Sequence, residues 1–299
     1  FQVRVEQLDG DDIFQTFLNA YASAIEPHTS YLGPRASENF AISMRLSLEG
    51  IGAVLQREGE YTVVRQIVPG GPLDRDGRIK AGDRIISVGT EEAETLTDVI
   101  GWRLHDVVDL IRGPKGTKVR LEVLPKSAGV DAPSERFLIA RDKVALEQQA
   151  AKQRILEVQV DDQNKRIGVI ELPTFYMDFP ARSQGDRNYR SSTRDVSKLL
   201  AELKAAKVDG IVIDLRNNGG GSLAESTELT GLFIDRGPVV QVRDGAGRTQ
   251  IERDTQAGVV YDGPLAVLVK RGPASPSEIF GAAIPDYRRR RATRETAFG

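Results

Sequence analysis

The chain has no cysteine and only two histidines, His28 and His105. Disulfides, a thiolate nucleophile and cysteine metal sites are therefore excluded. A Ser-His-Asp triad or a multi-histidine metal site has almost no histidine to draw on. The lack of cysteine leaves the compartment open, because an oxidising space permits disulfides without requiring them. Neither sign of charge dominates: 41 Lys+Arg face 43 Asp+Glu, a net charge of −2. That balance gives no electrostatic footprint for nucleic acid or an anionic membrane face. No run approaches the roughly 18 apolar residues of a membrane span, so no transmembrane segment is expected. There is no initiating methionine and no leader, and the chain stops at Gly299 in an arginine-rich stretch. It reads as a piece of a longer protein, and the missing leader then says nothing about localisation. What is present is 299 residues, 40% of them hydrophobic, enough for about two domains at roughly 150 residues each.

Residues 11–25 place Ile13, Phe14, Phe17, Leu18, Tyr21 and Ile25 at three-to-four spacing behind Asp11 and Asp12, which predicts an amphipathic helix. Pro27 ends it, and a loop follows to Gly33-Pro34. Between residues 46 and 125, β-rich runs at 52–56, 61–68, 84–88 and 118–124 are punctuated by glycine turns. A helix is expected over 96–111, with Val99, Ile100, Leu104, Val107, Val108 and Ile111 on one face. Short strands with one helix describe a small, partly open β-barrel, and residues 126–135 a loop. From about residue 153 strands and helices alternate: strands at 166–172, 210–215, 239–243 and 265–269, helices at 192–206, 223–233 and 277–287. Residues 181–193 are polar and read as an exposed loop.

Three constellations carry chemistry. In Leu48-Glu49-Gly50-Ile51-Gly52-Ala53-Val54, a Gly-x-Gly turn opens a strand and leaves backbone N–H groups free for a carboxylate. In Asp214-Leu215-Arg216-Asn217-Asn218-Gly219-Gly220-Gly221-Ser222, a buried strand runs into a triple-glycine turn and then a helix. Amides there can approach an anion or a developing oxyanion. It lacks the Gly-Lys-Ser/Thr ending of a phosphate loop. In Ala274-Ser275-Pro276-Ser277-Glu278-Ile279-Phe280, a serine follows a buried strand and precedes a helix, which suits a nucleophile; equally, Ser275 or Ser277 can be a helix cap.

Taken in order, these segments resemble the bacterial tail-specific, C-terminal processing serine proteases. Glu26-Pro27-His28-Thr29-Ser30-Tyr31-Leu32 and Gly101-Trp102-Arg103-Leu104 add to the likeness, which covers nearly the whole chain. The resemblance implies an α+β multidomain chain: an N-terminal helical segment (1–45), a PDZ domain (46–142) and a crotonase-like α/β protease core (143–299). It implies that the Gly50–Gly52 amides take a substrate's C-terminal carboxylate, with Ile51, Ala53, Val54, Val107, Val108 and Ile111 lining the pocket. Ser275 falls on the family's nucleophile, Gly220 and Gly221 on its oxyanion loop, and Glu278 and Asp286 on supporting acidic positions. The family's base is a lysine of lowered pKa in place of a histidine. It would fall at position 300, so this chain by itself is expected to be inactive. The resemblance further implies no cofactor or metal, a periplasmic location, substrates with unstructured apolar C-termini and an adaptor protein as partner.

The chain departs from the family pattern near its end. Pro276 stands where an alanine N–H would complete the oxyanion hole, and proline has no N–H. Pro285 is expected to kink or break its helix. Arg288–Arg291 replace the approach to an apolar strand, so residues 273–297 read as altered sequence or a degenerate copy. The alternative function is a non-catalytic PDZ peptide-binding module. A crotonase-type acyl-CoA enzyme explains neither the PDZ block nor Ser275.

Overall fold

The computed structural model describes residues 8–26, 28–127, 133–160, 162–270, 275–289 and 292–294, the side chains of Ser275 and of 292–294 excepted. The expectations resting on Pro27, on residues 128–132, on Ala274, Arg290 and Arg291 and on the closing Ala297-Phe298-Gly299 lie outside them. The chain divides into two compact units, one built on Ser47–Leu146, the other on Gly10–Leu46 and Glu147–Gly299.

In the second unit, helix α1 (Gly10–Ile25) forms where its periodicity predicts, with Asp11 and Asp12 in the first turn complementing the helix dipole. Asn19 holds the returning backbone of Tyr31 at both its N–H (2.7 Å) and its carbonyl (3.0 Å). Helix α2 (Pro34–Arg45) opens on a proline, whose missing N–H costs nothing there, and buries Ile42 and Met44.

The first unit contains β1 (Ser47–Gly50), β2 (Ala53–Glu58), β3 (Tyr61–Ile67), α3 (Pro72–Asp76), β4 (Arg84–Thr90), β5 (Thr97–Asp98), α4 (Leu104–Ile111), β6 (Lys118–Leu124), β7 (Glu135–Ala140) and β8 (Asp142–Ala145). Five strands follow the order β2-β3-β4-β6-β7, with β5 beside β4 and β1 paired to β8. All of these pairings are antiparallel. The sheet leaves β2 and β7 at its edges. Val64, Leu73, Ile85, Val107 and Leu121 bury fully in its core. The expected helix over 96–111 is corrected to the eight residues of α4. Thr97 and Asp98 pair with Val88 and Ser87, and Gly101 N–H donates to the Glu60 carbonyl at 2.7 Å. Those backbone groups are thus spent on the sheet and its turn.

The rest of the second unit contains β9 (Lys152–Val160), β10 (Gln163–Glu171), α5 (Phe179–Ser183), α6 (Ser192–Ala205), β11 (Gly210–Asp214), α7 (Leu223–Gly231), β12 (Gly237–Arg243), β13 (Thr249–Asp254), β14 (Leu265–Val269), α8 (Ser275–Asp286) and β15 (Ala292–Arg294). One sheet runs β15-β14-β11-β10-β9, parallel except for β9. Strands β11 and β14 are near-continuous apolar runs, and β10 becomes one only over residues 167–170, as strands covered on both faces must be. Because β10, β11 and β14 are parallel, the turns after them leave the same edge of the sheet, where α/β folds place their sites.

Three expectations change here. Residues 191–193 are buried polar residues at the start of α6, not part of an exposed loop. Helix α8 runs through Pro285 and ends one residue later; Phe280 and Ile284 are fully buried and outweigh one lost hydrogen bond. Beyond the arginine run, Ala292–Arg294 pairs in parallel with Val267–Val269. Within it, Arg289 donates to the carbonyls of Tyr261 (2.6 Å) and Asp262 (2.7 Å).

Candidate active site

The triple-glycine turn is bound on several sides. Asn218 is buried, and its amide donates to the Leu172 carbonyl at 2.8 Å. Its Oδ1 accepts the Gly220 N–H, also at 2.8 Å. Gly219 N–H donates to Pro173 at 3.0 Å. The Gly220 carbonyl accepts from Phe175 N–H and from Thr174 Oγ1, each at 2.8 Å. Ser222 N–H donates to the Phe175 carbonyl at 2.9 Å. Phe175 and Gly221 thus form a parallel bridge, which turns the Gly221 N–H away from Phe175. Among the described residues that N–H donates no hydrogen bond. Gly221 has φ +135°, and a Cβ there would lie 2.5 Å from the Phe175 carbonyl oxygen. Only glycine fits.

Helix α8 begins beside this turn. Its first residue is Ser275 and its second Pro276, a position where a missing N–H does not disturb the helix. Ser226 Oγ donates to the Pro276 carbonyl at 3.2 Å. Ser277, fully buried, donates from Oγ to Asn218 Oδ1 at 2.9 Å. Phe280 anchors the helix edge-on against Phe233, ring centroids 5.8 Å apart. Burying each ring contributes about 1.5–3 kcal/mol. Glu278 is half-buried and Asp286 is exposed at the end of the helix.

A cavity of about 260 Å³ opens at the carboxyl ends of β10 and β11, lined among others by Lys152, Glu171, Pro173, Arg216 and Asn217. Arg216 pairs with Asp214 at 2.6 Å and holds its carboxyl below the usual carboxylate range. Among the described residues no cluster of His, Asp or Glu could hold a metal ion. Likewise no helix is long and apolar enough to cross a membrane.

In the other unit, Gly50 pairs with Asp142, while the Ile51 carbonyl accepts from Leu73 N–H and the Gly52 carbonyl from Val68 N–H, each at 2.9 Å. Among the described residues, the N–H groups of Ile51 and Gly52 donate no hydrogen bond. Gly52 has φ +76°, and a Cβ there would lie 3.0 Å from Gly71 Cα. β2 leaves this turn as a sheet edge with α4 packed beside it. Ile51, Val107 and Ile111 are core residues, Ala53 packs on that core, Val108 is half-buried, and Val54 is 47% exposed on the other face of β2. Leu55 shares the face of Ala53; strand alternation alone could have singled it out.

Sequence reasoning also passed over Asn218, Ser226 and Glu225. Asn218 stood inside a recognised turn, but its bond to Ser277 spans 59 positions, and nothing local marks such a contact.

Comparison with known families agrees with this layout. Residues 166–299 match the model of peptidase family S41, residues 40–124 that of the PDZ domain, and residues 2–35 that of the tail specific protease N-terminal domain. The chain thus carries regions that match peptidase family S41 and the PDZ domain, and along its length it is similar to tail-specific proteases. It is 45% identical to the tail-specific protease of Haemophilus influenzae over 296 residues, covering 99% of this chain and 40% of that relative. It is 28% identical to the chloroplastic carboxyl-terminal-processing peptidase 2 of Arabidopsis thaliana, covering 97% of this chain and 52% of the relative. The chain thus spans about half or less of the length of these relatives. The PDZ domain of the Vibrio cholerae carboxy-terminal protease, solved with a peptide, is 56% identical and covers 34% of this chain and all of that one, with a TM-score of 0.32.

Proposed function

We propose that the whole protein is a serine endopeptidase that captures apolar, unstructured C-termini of protein substrates and cleaves them through an acyl-enzyme. Ser275 is the nucleophile and a lysine at position 300 its base. Gly220 and Gly221 form the oxyanion loop, with Glu278 and Asp286 in support. A serine hydroxyl needs an adjacent base to attack a carbonyl, and with two histidines in 299 residues a lysine is the economical choice. In the peptide-binding unit, the Gly50–Gly52 backbone takes the substrate carboxylate, and Ile51, Ala53, Val107, Val108 and Ile111 line the groove, whereas Val54, expected there from the sequence, lies on the other face of β2. The captured C-terminus adds to the sheet as a further strand along β2. The proposed organisation is 1–45, 46–142 and 143–299, the location periplasmic, and an adaptor protein a further partner.

The observation that supports this most is the bond from Ser277 to Asn218, which ties the start of α8 to the glycine turn. Pro276 favours the second reading, a peptide-binding protein without catalysis, because it offers no N–H to an oxyanion. One experiment separates the two. The whole protein is incubated with a peptide ending in apolar residues and a free carboxylate, beside its amidated twin and beside the Ser275→Ala variant. Endopeptidase action requires cleavage that Ser275→Ala abolishes and that amidation weakens. Binding without Ser275-dependent cleavage establishes the second reading.

A further inference from the structure

Glu225 is a charged residue with no exposed surface, in the first turn of α7, three residues after Ser222, which caps that helix. Burying a carboxylate is expensive unless donors surround it. Here one oxygen, Oε2, takes three: Ser191 Oγ at 2.9 Å, Ser192 Oγ at 2.9 Å and the Thr193 N–H at 2.7 Å. Thr193 Oγ1 also donates to the Glu225 carbonyl at 3.2 Å. All three partners stand at the start of α6, whose N-terminal dipole favours the same negative charge. The second oxygen, Oε1, is buried without a partner among the described residues. Holding α6 on α7 needs no such group. An apolar side chain of similar size joins two helices without the desolvation cost, so a buried carboxylate contributes direction more than net stability.

That direction leads to the glycine turn by a closed route. From Gly220 the chain of bonds passes to Phe175 N–H. The neighbouring Tyr176 carbonyl accepts the Ser192 N–H at 2.9 Å. Ser192 reaches Glu225 through its hydroxyl, and Glu225 N–H donates to Ser222 Oγ at 3.3 Å, one residue from Gly221. The adjacent Ser226 extends the ring to α8 through the Pro276 carbonyl. Every member lies within one unit of the chain. Without the Glu225 carboxylate, the ring keeps only the 3.2 Å bond from Thr193 Oγ1 to the Glu225 carbonyl where α6 meets α7.

We propose that Glu225 is a positioning residue of the glycine turn: it locks the start of α6 to α7 and thereby sets the backbone of residues 219–222. The proposal rests on the reading of that turn as the oxyanion loop. Oxyanion donors must sit where charge develops, and a displacement of about 1 Å can cost on the order of 10²-fold in rate.

The test compares Glu225→Ala, Glu225→Gln and Ser275→Ala in the whole protein, with cleavage of a peptide ending in apolar residues and amide hydrogen exchange over residues 219–222 as readouts. Glutamine keeps an oxygen able to accept all three bonds. The expected result is that Glu225→Ala lowers kcat by about 10²-fold with KM changed by less than about 3-fold. Glu225→Gln should stay within about 10-fold of the parent in kcat. Exchange at 219–222 should accelerate about tenfold or more in the alanine variant. A folded Glu225→Ala protein with unchanged kcat and unchanged exchange overturns the proposal, as does a glutamine variant no better than alanine. Should Glu225→Ala not fold, Ser191→Ala with Ser192→Ala removes two of the three donors; accelerated exchange at 219–222 supports the proposal and unchanged exchange overturns it. Cleavage that survives Ser275→Ala refutes Ser275 as the nucleophile, and absence of cleavage in the parent refutes the peptidase reading, each separately, since the exchange result does not depend on activity.

Discussion

The hydroxyl of Ser277 donates to Asn218 Oδ1 at 2.9 Å, and the same oxygen accepts the Gly220 N–H at 2.8 Å. One amide oxygen therefore joins the helix that carries Ser275 to the turn that carries the triple glycine. Both side chains are buried, so deleting one partner leaves the other unsatisfied. Ser277→Ala is expected to destabilise by about 1–2 kcal/mol, and Asn218→Ala, which strands Gly220 N–H and the Leu172 carbonyl as well, by about 3 kcal/mol. A double-mutant cycle read by denaturant unfolding should return a coupling of about 1 kcal/mol or more. A coupling indistinguishable from zero would mean that the bond ties nothing.

The glycine turn itself makes opposite demands at neighbouring positions. A Cβ on Gly219 meets nothing within 4 Å, whereas one on Gly221 would lie 2.5 Å from the Phe175 carbonyl oxygen at φ +135°. Gly219→Ala should leave thermal stability nearly unchanged, within about 1 kcal/mol. Gly221→Ala should cost about 3 kcal/mol or more, because strain and overlap add. Equal effects from the two substitutions would contradict the bridge between Phe175 and Gly221.

Much of this was legible in the sequence because the signals were local. The run Leu265–Val269 and the Asp214–Ser222 turn are contiguous, and the resemblance followed from their order along the chain. What escaped was information held by partners far away in sequence. Leu96, Val99 and Ile100 carry helical spacing, yet Thr97 and Asp98 are claimed by β4, a contact no periodicity encodes. The strand β9 is mostly exposed with polar and apolar residues mixed, so only its pairing with β10 defines it. Glu225 looks like an ordinary acidic residue of a first helical turn. Its burial follows from the way Ser191–Thr193 fold over it.

Burial also gives Glu225 a pH signature. Desolvation pushes its carboxyl above the ordinary range, against the pull of the Thr193, Ser191 and Ser192 donors. A carboxyl that is a weaker acid folded than unfolded holds its proton longer in the native state. Its contribution is fully present below the unfolded value of about 4.3 and is lost as pH rises through the folded one. Unfolding free energies of the parent and Glu225→Gln, measured from pH 4 upward, should therefore diverge as pH rises, the parent losing stability relative to the variant. Parallel curves would show that the carboxyl titrates alike in both states.

Asp142 gives the opposite sign in the unit built on Ser47–Leu146. Lys115, the Lys143 N–H and Arg75 together hold its carboxyl down to about 2. This contribution is present above the unfolded value of about 3.9 and disappears as pH falls toward about 2. Acid unfolding of Asp142→Asn should accordingly show a shallower pH dependence than the parent below pH 4. An identical slope would place the native stability of this unit on other groups.

Pro276 decides how complete the proposed oxyanion hole is. It occupies the second position of α8, where the helix itself needs no N–H, and the Gly220 N–H is already engaged by Asn218. Gly221 then offers the unengaged amide of the turn. Replacing Pro276 with alanine adds an N–H at the residue after the proposed nucleophile, at a stability cost of at most about 1 kcal/mol from the lost ring constraint. One oxyanion donor is worth about 10²–10³ in kcat in a well-studied serine protease. Pro276→Ala in the whole protein is therefore expected to raise kcat toward that factor with KM nearly unchanged, since the bond strengthens only as charge develops on the substrate oxygen. Unchanged kcat in a folded variant would show that the amide at position 276 faces no oxyanion, and would move the second donor back to the glycine turn.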